Sequence, residues 1–200
     1  MMHTDYSRPT QLDEACASLA SQGNECALLA GGTDLIVRMR SRARQPKLLI
    51  DLKAIPEMQG IVPLEGGGWR INACVSMHEL ANHAALQAAY PAITMGAAAV
   101  GSLQIRQRAT VGGNLANASP CMDTAPGIIV YDGQLRLRSV RGERLVPAAS
   151  FFRSAGKNAL EPDELLLAIE LPPPGRKRSS FDKIKRTKGH DLALVNMAKL

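Results

Sequence analysis

The sequence predicts a mixed α+β fold arranged as two small lobes. Three observations carry this. A short apolar run, CALLA at residues 26–30, feeds into a glycine turn, AGGTD at 30–34, and then into a helix-length segment. A hairpin pattern, with a Gly66-Gly67-Gly68 turn between residues 60–64 and 69–75, opens a second group of elements. Leu135 and Leu137 alternate with Arg136 and Arg138, and LLLAIEL at 165–171 is continuously apolar, so both read as strands of that second group.

In chain order, TQLD at 10–13 reads as a helix start, with Thr10 as N-cap and Asp13 near the helix's positive end. Leu12, Ala15, Cys16 and Leu19 fall on one face, and Gly23 is a natural stop. After the strand at 26–30, Thr33 or Asp34 is placed to cap a helix over 35–42. A strand feeding a glycine turn before a helix is favourable for phosphate. KLLIDL at 47–52 is a second strand, and this first lobe is expected to occupy residues 1–55.

The second lobe is expected over 56–174. Ser76 and Glu79 form a capping-box pattern that starts a helix through about Ala84. Residues 91–100 read as a small-residue helix able to pack closely under a loop. Residues 105–109 lead into TVGGNLANASPCMD at 110–123. A short helix over 124–131 is expected to be interrupted by Pro126 and Gly127. The strand at 134–140 turns at Gly142, and the strand at 165–171 stops at Pro172-Pro173-Pro174. Residues 175–180 read as a basic linker, followed by strand-like runs at 180–185 and 192–198.

The chemistry concentrates in AGGTD and TVGGN. Each has adjacent glycines and a hydroxyl or amide side chain, with an acid at Asp34 and at Asp123. Without a Cβ, backbone N–H groups can approach a ligand closely and φ > 0 is allowed. Consecutive N–H groups turned to one side form a concave anion site. Two such loops, about eighty residues apart, suit a diphosphate gripped from both sides. On residue types alone, two tight turns with no ligand remain open.

Composition excludes several classes. The formal net charge of +6 admits nucleic acid, an anionic cofactor or an acidic partner. The basic clusters at 38–47, Arg106 with Arg108, and 176–188 carry no interleaved aromatics, which argues against a single-strand stacking platform. Cys16, Cys26, Cys74 and Cys121 form no Cys-x-x-Cys and no compact set with His3, His78, His83 or His190. No metal centre is therefore expected, and the cysteines are read as buried free thiols. No apolar run reaches membrane-spanning length, and MMHTDYSRPT lacks the pattern of a secretory signal, so a cytoplasmic location is expected.

The order of these pieces resembles the FAD-binding (medium) subunit of the molybdenum hydroxylase family, of the xanthine dehydrogenase and carbon monoxide dehydrogenase type. The segments that carry the resemblance are AGGTDLIVRMR at 30–40, LLIDL at 48–52, GSLQIRQRATVGGNLANASPCMD at 101–123, LLLAIELPPP at 165–174 and FDKIKRTKGHDLALVNMA at 181–198. It covers nearly the whole chain. It implies a two-lobed α+β FAD-binding fold of the PCMH type, with FAD stretched between the lobes. Residues 175–200 would be a linker and the start of a C-terminal domain whose remainder is missing beyond Leu200, marking the chain as a fragment.

The resemblance also implies site residues. Ala30, Gly31, Gly32, Thr33, Asp34 and Leu35, with Leu29 before them, would bind the cofactor's diphosphate from one side. Thr110, Gly112, Gly113 and Asn114 would bind it from the other, through backbone N–H groups and the threonine hydroxyls. Asp123 matches an acid that holds the adenosine part, Val100 and Leu166 match apolar contacts, and Lys183 matches a basic residue near the flavin. Residue types leave a helix cap open for Asp123, ordinary core for Leu166 and a surface charge for Lys183.

The function so implied is electron transfer from iron–sulfur clusters through FAD to an external acceptor. The 2Fe-2S clusters and the molybdenum cofactor are expected on an iron–sulfur subunit and a molybdenum-cofactor subunit, in a heteromer that extends to a dimer of heterotrimers. Nucleic-acid partners and a membrane span are not expected. No Ser/His/Asp or Cys/His nucleophile is evident, so no catalytic residue is expected on this chain. No cysteine-rich insertion supports the extra cluster of the hydroxybenzoyl-CoA reductase branch. The alternatives are a self-contained FAD-dependent oxidase or reductase on a similar fold, and a nucleotide- or nucleic-acid-binding module without chemistry. Arg40 and Arg44, at i and i+4 of the expected helix, are the natural docking pair.

Overall fold

The computed structural model describes residues 4–175 and 178–200. The first lobe contains β1 (Asp5–Ser7), α1 (Leu12–Gln22), β2 (Cys26–Leu29), α2 (Leu35–Arg40) and β3 (Leu48–Asp51). Its strands form a parallel sheet in the order β1-β3-β2. Parallel neighbours require crossovers, which α1 and α2 supply. α1 buries Ala15, Cys16 and Leu19, the face expected from spacing, and Gly23 ends it at φ 49. The cap differs from expectation: the N-cap is Gln11, with no side-chain bond, and Thr10 lies one residue before it. β1 was not expected, because DYS is three residues long and has no apolar alternation.

α2 also departs from expectation. Asp34 is its N-cap but makes no side-chain bond, and the helix stops at Arg40. Arg42 is left-handed, with φ 59, so Arg40 and Arg44 do not share a helix face. Arg44 turns inward, where its Nη2 donates to Asn24 O (3.0 Å) and Cys26 O (2.7 Å).

Two short 3-10 turns, Leu52–Ala54 and Pro56–Met58, lead into the second lobe. That lobe runs β4 (Ile61–Pro63), β5 (Trp69–Asn72), α3 (Met77–Asn82), α4 (Ala84–Ala89), α5 (Pro91–Ala98), α6 (Leu103–Arg106), α7 (Val111–Asn117) and α8 (Ala125–Val130). It continues through β6 (Gln134–Ser139), β7 (Gly142–Pro147), α9 (Ala148–Phe151), β8 (Phe152–Ser154), β9 (Lys157–Asn158) and β10 (Leu165–Leu171). Five strands form an antiparallel sheet in the order β4-β5-β10-β6-β7.

β10 is the middle strand and is buried on both faces, which is why its sequence is apolar without alternation. β6 buries Leu135, Leu137 and Ser139 and turns its arginines outward. Arg136 and Arg70 close on Glu170 from either side at 2.8 Å, tying β6 and β5 to β10.

The Ser76 cap is present, with its hydroxyl accepting the Glu79 N–H at 3.0 Å. α3 ends at Asn82 and α4 starts anew two residues later. α8 is continuous rather than interrupted. Pro126 sits in its first turn, where its missing N–H has no intrahelical partner to lose. Gly127 is where α8 crosses α5: a Cβ there would sit 3.0 Å from Ala92 and Ile93 backbone.

The chain finishes in an antiparallel hairpin of β11 (Ser180–Ile184) and β12 (Val195–Lys199), with Lys183 opposite Asn196. The hairpin packs on α5 and α8. Of the expected linker, Arg176 and Lys177 lie outside the described residues, as does His3 at the N-terminus. Among the described residues, no helix is long and apolar enough to cross a membrane.

Candidate cofactor site

The two glycine segments meet at the seam between the lobes. Gly31 lies flat against the chain that precedes TVGGN. A Cβ at Gly31 would overlap the Arg108 carbonyl oxygen and sit 2.9 Å from the Ala109 Cα. Beside this contact opens a pocket of about 770 Å3. That volume is within the usual range for small-molecule and cofactor sites. The pocket is lined by Ala30, Gly31, Gly32, Thr33, Asp34 and Leu35 from the first lobe, and by Val100, Thr110, Gly112, Gly113, Asn114, Asp123 and Leu166 from the second. Lys183 reaches it from β11. Leu29 does not line it; Leu28 does. Successive strand residues face opposite sides, so at the end of β2 Leu28 and Ala30 share the pocket side.

The two glycine segments offer different chemistry. Among the described residues, the N–H groups of Gly31, Gly32, Thr33, Asp34 and Leu35 donate to no protein acceptor. Gly32, at φ 76, supplies the left-handed step that turns these amides. Five consecutive free donors bordering a pocket are a backbone arrangement suited to an anion.

TVGGN is instead a completed helix start. Val111 N–H donates to Val75 O (3.0 Å), Gly112 N–H to Ala73 O (2.9 Å) and Asn114 N–H to Thr110 O (3.0 Å). Gly113 N–H donates to Thr110 Oγ1 at 3.2 Å. The expected grip by backbone N–H groups on this side is therefore corrected for residues 111–114, whose amides are taken by Val75, Ala73 and Thr110. Neither glycine here has positive φ. Gly112 is required because a Cβ would sit 2.7 Å from Ala73 O. What this side presents is the Thr110 hydroxyl proton and Asn114 Nδ2, while Asn114 Oδ1 is held by Thr124 at 2.6 Å.

Asp123 does not cap α8. Its Oδ2 accepts from Lys183 Nζ at 2.6 Å and its Oδ1 from Asn196 Nδ2 at 3.0 Å. Lys183 also donates to Ala99 O at 3.2 Å, and its side chain is only 9% exposed, so it is not a surface charge. The small-residue helix α5 makes this corner possible, since a Cβ at Gly96 would overlap the Asp123 carbonyl. Leu166 is both core and wall: it is buried and borders the pocket beside a register shift in β10.

Several residues in or beside the pocket wall escaped the sequence reading. Arg38 Nη2 donates to Asn117 Oδ1 at 2.6 Å and so bridges the lobes. Arg106 Nη1 holds Val100 O and Gly101 O, each at 3.1 Å, and fixes the Val100 turn. Both arginines lie in basic clusters first read as mostly solvated. His190, Asp191 and Leu192 border the pocket from the loop joining β11 and β12, where no local pattern signals a site. Cys16, Cys26 and Cys74 are buried free thiols as expected, but Cys121 is half-buried at the pocket wall. Burial pushes the Cys74 thiol up to about 11, so it lines the pocket as a protonated, apolar group.

A two-lobed α+β fold with a pocket at its seam, bordered by a run of free backbone amides, is the form of a nucleotide-cofactor-binding domain. The family model described as "FAD binding domain in molybdopterin dehydrogenase" matches residues 2–174. The chain is 33% identical over 195 residues to the xanthine dehydrogenase FAD-binding subunit of Escherichia coli O157:H7, covering 96% of this chain and 66% of that protein. It is 35% identical over 186 residues to the carbon monoxide dehydrogenase medium chain of Afipia carboxidovorans, covering 92% and 64%. The structure resembles the cyanide-inactivated Cu,Mo-CO dehydrogenase with a TM-score of 0.93 at 34% identity, over 98% of this chain and 68% of that one. It resembles quinoline 2-oxidoreductase from Pseudomonas putida 86 with a TM-score of 0.91 at 28% identity, over 98% and 67%. The chain spans 66% of the length of the Escherichia coli O157:H7 protein and 64% of the Afipia carboxidovorans one, slightly less than two thirds of each. It belongs to the family of FAD-binding domains of the molybdopterin dehydrogenases.

Proposed function

We propose that this chain holds FAD across the seam between its lobes and works as the electron-transfer flavoprotein part of a molybdenum-containing hydroxylase or dehydrogenase. When bound, the flavin relays electrons, one or two at a time, between iron–sulfur clusters and an external acceptor. The observation that carries the reading is the run of five unpartnered amides at residues 31–35, on the wall of a pocket of about 770 Å3. A dianionic diphosphate satisfies such donors with charge-assisted hydrogen bonds.

The remaining roles follow from what each side chain still offers. Thr33 and Thr110 add hydroxyl donors and Asn114 adds Nδ2 to the diphosphate. Val100 and Leu166 are apolar walls that exclude water from the flavin. Asp123, with one lone pair on each oxygen already used, retains acceptor positions for nucleoside hydroxyls. Lys183 holds that carboxylate in place from the hairpin. The lobes at 1–55 and 56–174 are the two sides of the site, and 175–200 is a linker and the start of a C-terminal domain. The relatives are named as subunits and medium chains, which supports a heteromer; its proposed partners are an iron–sulfur subunit and a molybdenum-cofactor subunit, and its proposed location is the cytoplasm.

The test is direct. Extract the cofactor from the purified full chain and separate it by chromatography. FAD is expected; FMN alone, or a folded chain that takes up no flavin on titration, overturns the reading.

A further inference from the structure

We propose that Lys53 is a positioning residue that aims the Gly31 amide for the anion-binding nest. The inference rests on the FAD reading above and assigns what holds the diphosphate end of that site in shape. Lys53 follows β3, in the 3-10 turn Leu52–Ala54. Its Nζ donates to Ala30 O at 3.1 Å and to Asp51 Oδ1 at 2.6 Å. Asp51 is buried at the end of β3; its Oδ1 also accepts the Lys53 N–H at 3.0 Å, and its Oδ2 accepts the Tyr6 hydroxyl from β1. Ala30 immediately follows β2. One network therefore joins β1 to the C-terminal ends of β2 and β3 in the first lobe.

The geometry at Ala30 gives this network its effect. A trans peptide is planar, so the C=O of Ala30 and the N–H of Gly31 point in opposite directions. Holding that carbonyl on Lys53 turns the Gly31 N–H away from the network. Gly31 is the first of the five unpartnered donors, and it borders the pocket. A glycine peptide rotates easily when nothing holds it, because glycine has wide access to φ and ψ. The Lys53 charge is itself met by Asp51 at 2.6 Å, so orientation rather than added positive potential is what Lys53 supplies. Lys53 does not border the pocket, in keeping with action through Ala30.

The experiment measures equilibrium binding of FAD, ADP and riboflavin to the full chain and three variants. Lys53→Met removes the donor. Asp51→Asn with Lys53→Met removes it without leaving Asp51 as a buried unpaired charge, so that fold and function are separable. Lys53→Arg restores a cationic donor. Loss of one oriented charge-assisted hydrogen bond scales to about a tenfold change. FAD and ADP, which carry the diphosphate, are expected to weaken by about that factor in the Met variant and in the double variant. Riboflavin, which lacks phosphate, is expected to bind as in the wild type, and Lys53→Arg is expected to recover FAD and ADP binding. Unchanged FAD and ADP affinity in the Met variants overturns the assignment. So does a parallel loss of riboflavin, which would report general damage to the pocket. Failure of the wild-type chain to bind FAD overturns the underlying flavin reading instead, and the wild-type arm shows it before any substitution is made.

Discussion

Asp123 and Lys183 form a 2.6 Å ion pair in which both side chains are nine-tenths or more buried. The pair fastens the C-terminal hairpin to the loop that follows α7, sixty residues earlier in the chain. Breaking a buried pair from one side leaves a charge without compensation, which costs about 3 kcal/mol or more. Lys183→Met is therefore expected to lower stability by about that amount. Asp123→Asn with Lys183→Met is expected to recover much of it, because the amide still accepts from Asn196. Urea denaturation of the three proteins checks this. Equal losses in the single and double variants would mean that shape, not charge, fastens the hairpin.

Gly32 and Gly112 should behave differently when a side chain is added. Gly32 has φ 76, and its nearest neighbours are the side chains of Leu29 (3.1 Å) and Ile36 (3.3 Å). Gly32→Ala is expected to cost only about 1 kcal/mol of backbone strain while weakening flavin binding, since it distorts the nest. At Gly112 a Cβ would meet the Ala73 backbone at 2.7 Å. Gly112→Val is expected to destabilise the second lobe by about 2 kcal/mol through overpacking. Thermal melts with a parallel FAD titration separate the two. If Gly112→Val melts like the wild type, the close packing of α7 on Ala73 is not a stability determinant.

That contrast shows what was legible in the sequence. Gly-Gly signals that a Cβ is not tolerated, and both segments do border the pocket. The reason differs, a turn at Gly32 and close packing at Gly112, and only tertiary neighbours reveal it. Long apolar or alternating runs such as 165–171 and 134–140 were legible because periodicity survives any context. β1 and β7 were not, because short, exposed edge strands carry little apolar signal. Arg38, Arg106 and Lys53 were read as charge or passed over, because the carbonyl or amide that each one holds is set by tertiary folding and not by residue type.

Acid should loosen the β7–β10 corner. Two hydrogen bonds from Arg144, at 2.7 and 2.6 Å, hold the Glu164 carboxyl below its ordinary value of 4.5, although burial works against them. A carboxyl whose folded pKa is depressed contributes stability that is fully present above its unfolded value. That contribution is lost as pH falls through the lower folded value. Stability should thus fall on acidification from about pH 4.5 downward, and Glu164→Gln should start lower and show a shallower slope there. Denaturant midpoints across that range check it. Identical slopes for the two proteins would assign the acid response to other carboxylates, Asp51 first among them, since Lys53 and Tyr6 hold its carboxyl down against the opposing effect of burial.

The arginines after Gly32 divide into two kinds, and charge reversal should separate them. Arg44 is half-buried and bonded to Asn24 O and Cys26 O, so it closes the first lobe on itself. Arg44→Glu is expected to destabilise the lobe by about 1–3 kcal/mol, the cost of two carbonyls losing a charged donor. Arg40 and Arg42 are exposed at the end of α2. They replace Arg40 with Arg44 as the pair available to a partner. Charges at an interface rim set encounter rate and orientation more than affinity. Arg40→Glu with Arg42→Glu is therefore expected to leave the melting temperature in place, slow association with the proposed iron–sulfur partner, and flatten the salt dependence of that rate. Stopped-flow association at two ionic strengths reads both effects. A rate and salt slope matching the wild type would leave these two arginines as solvated side chains and move the docking surface elsewhere on the chain.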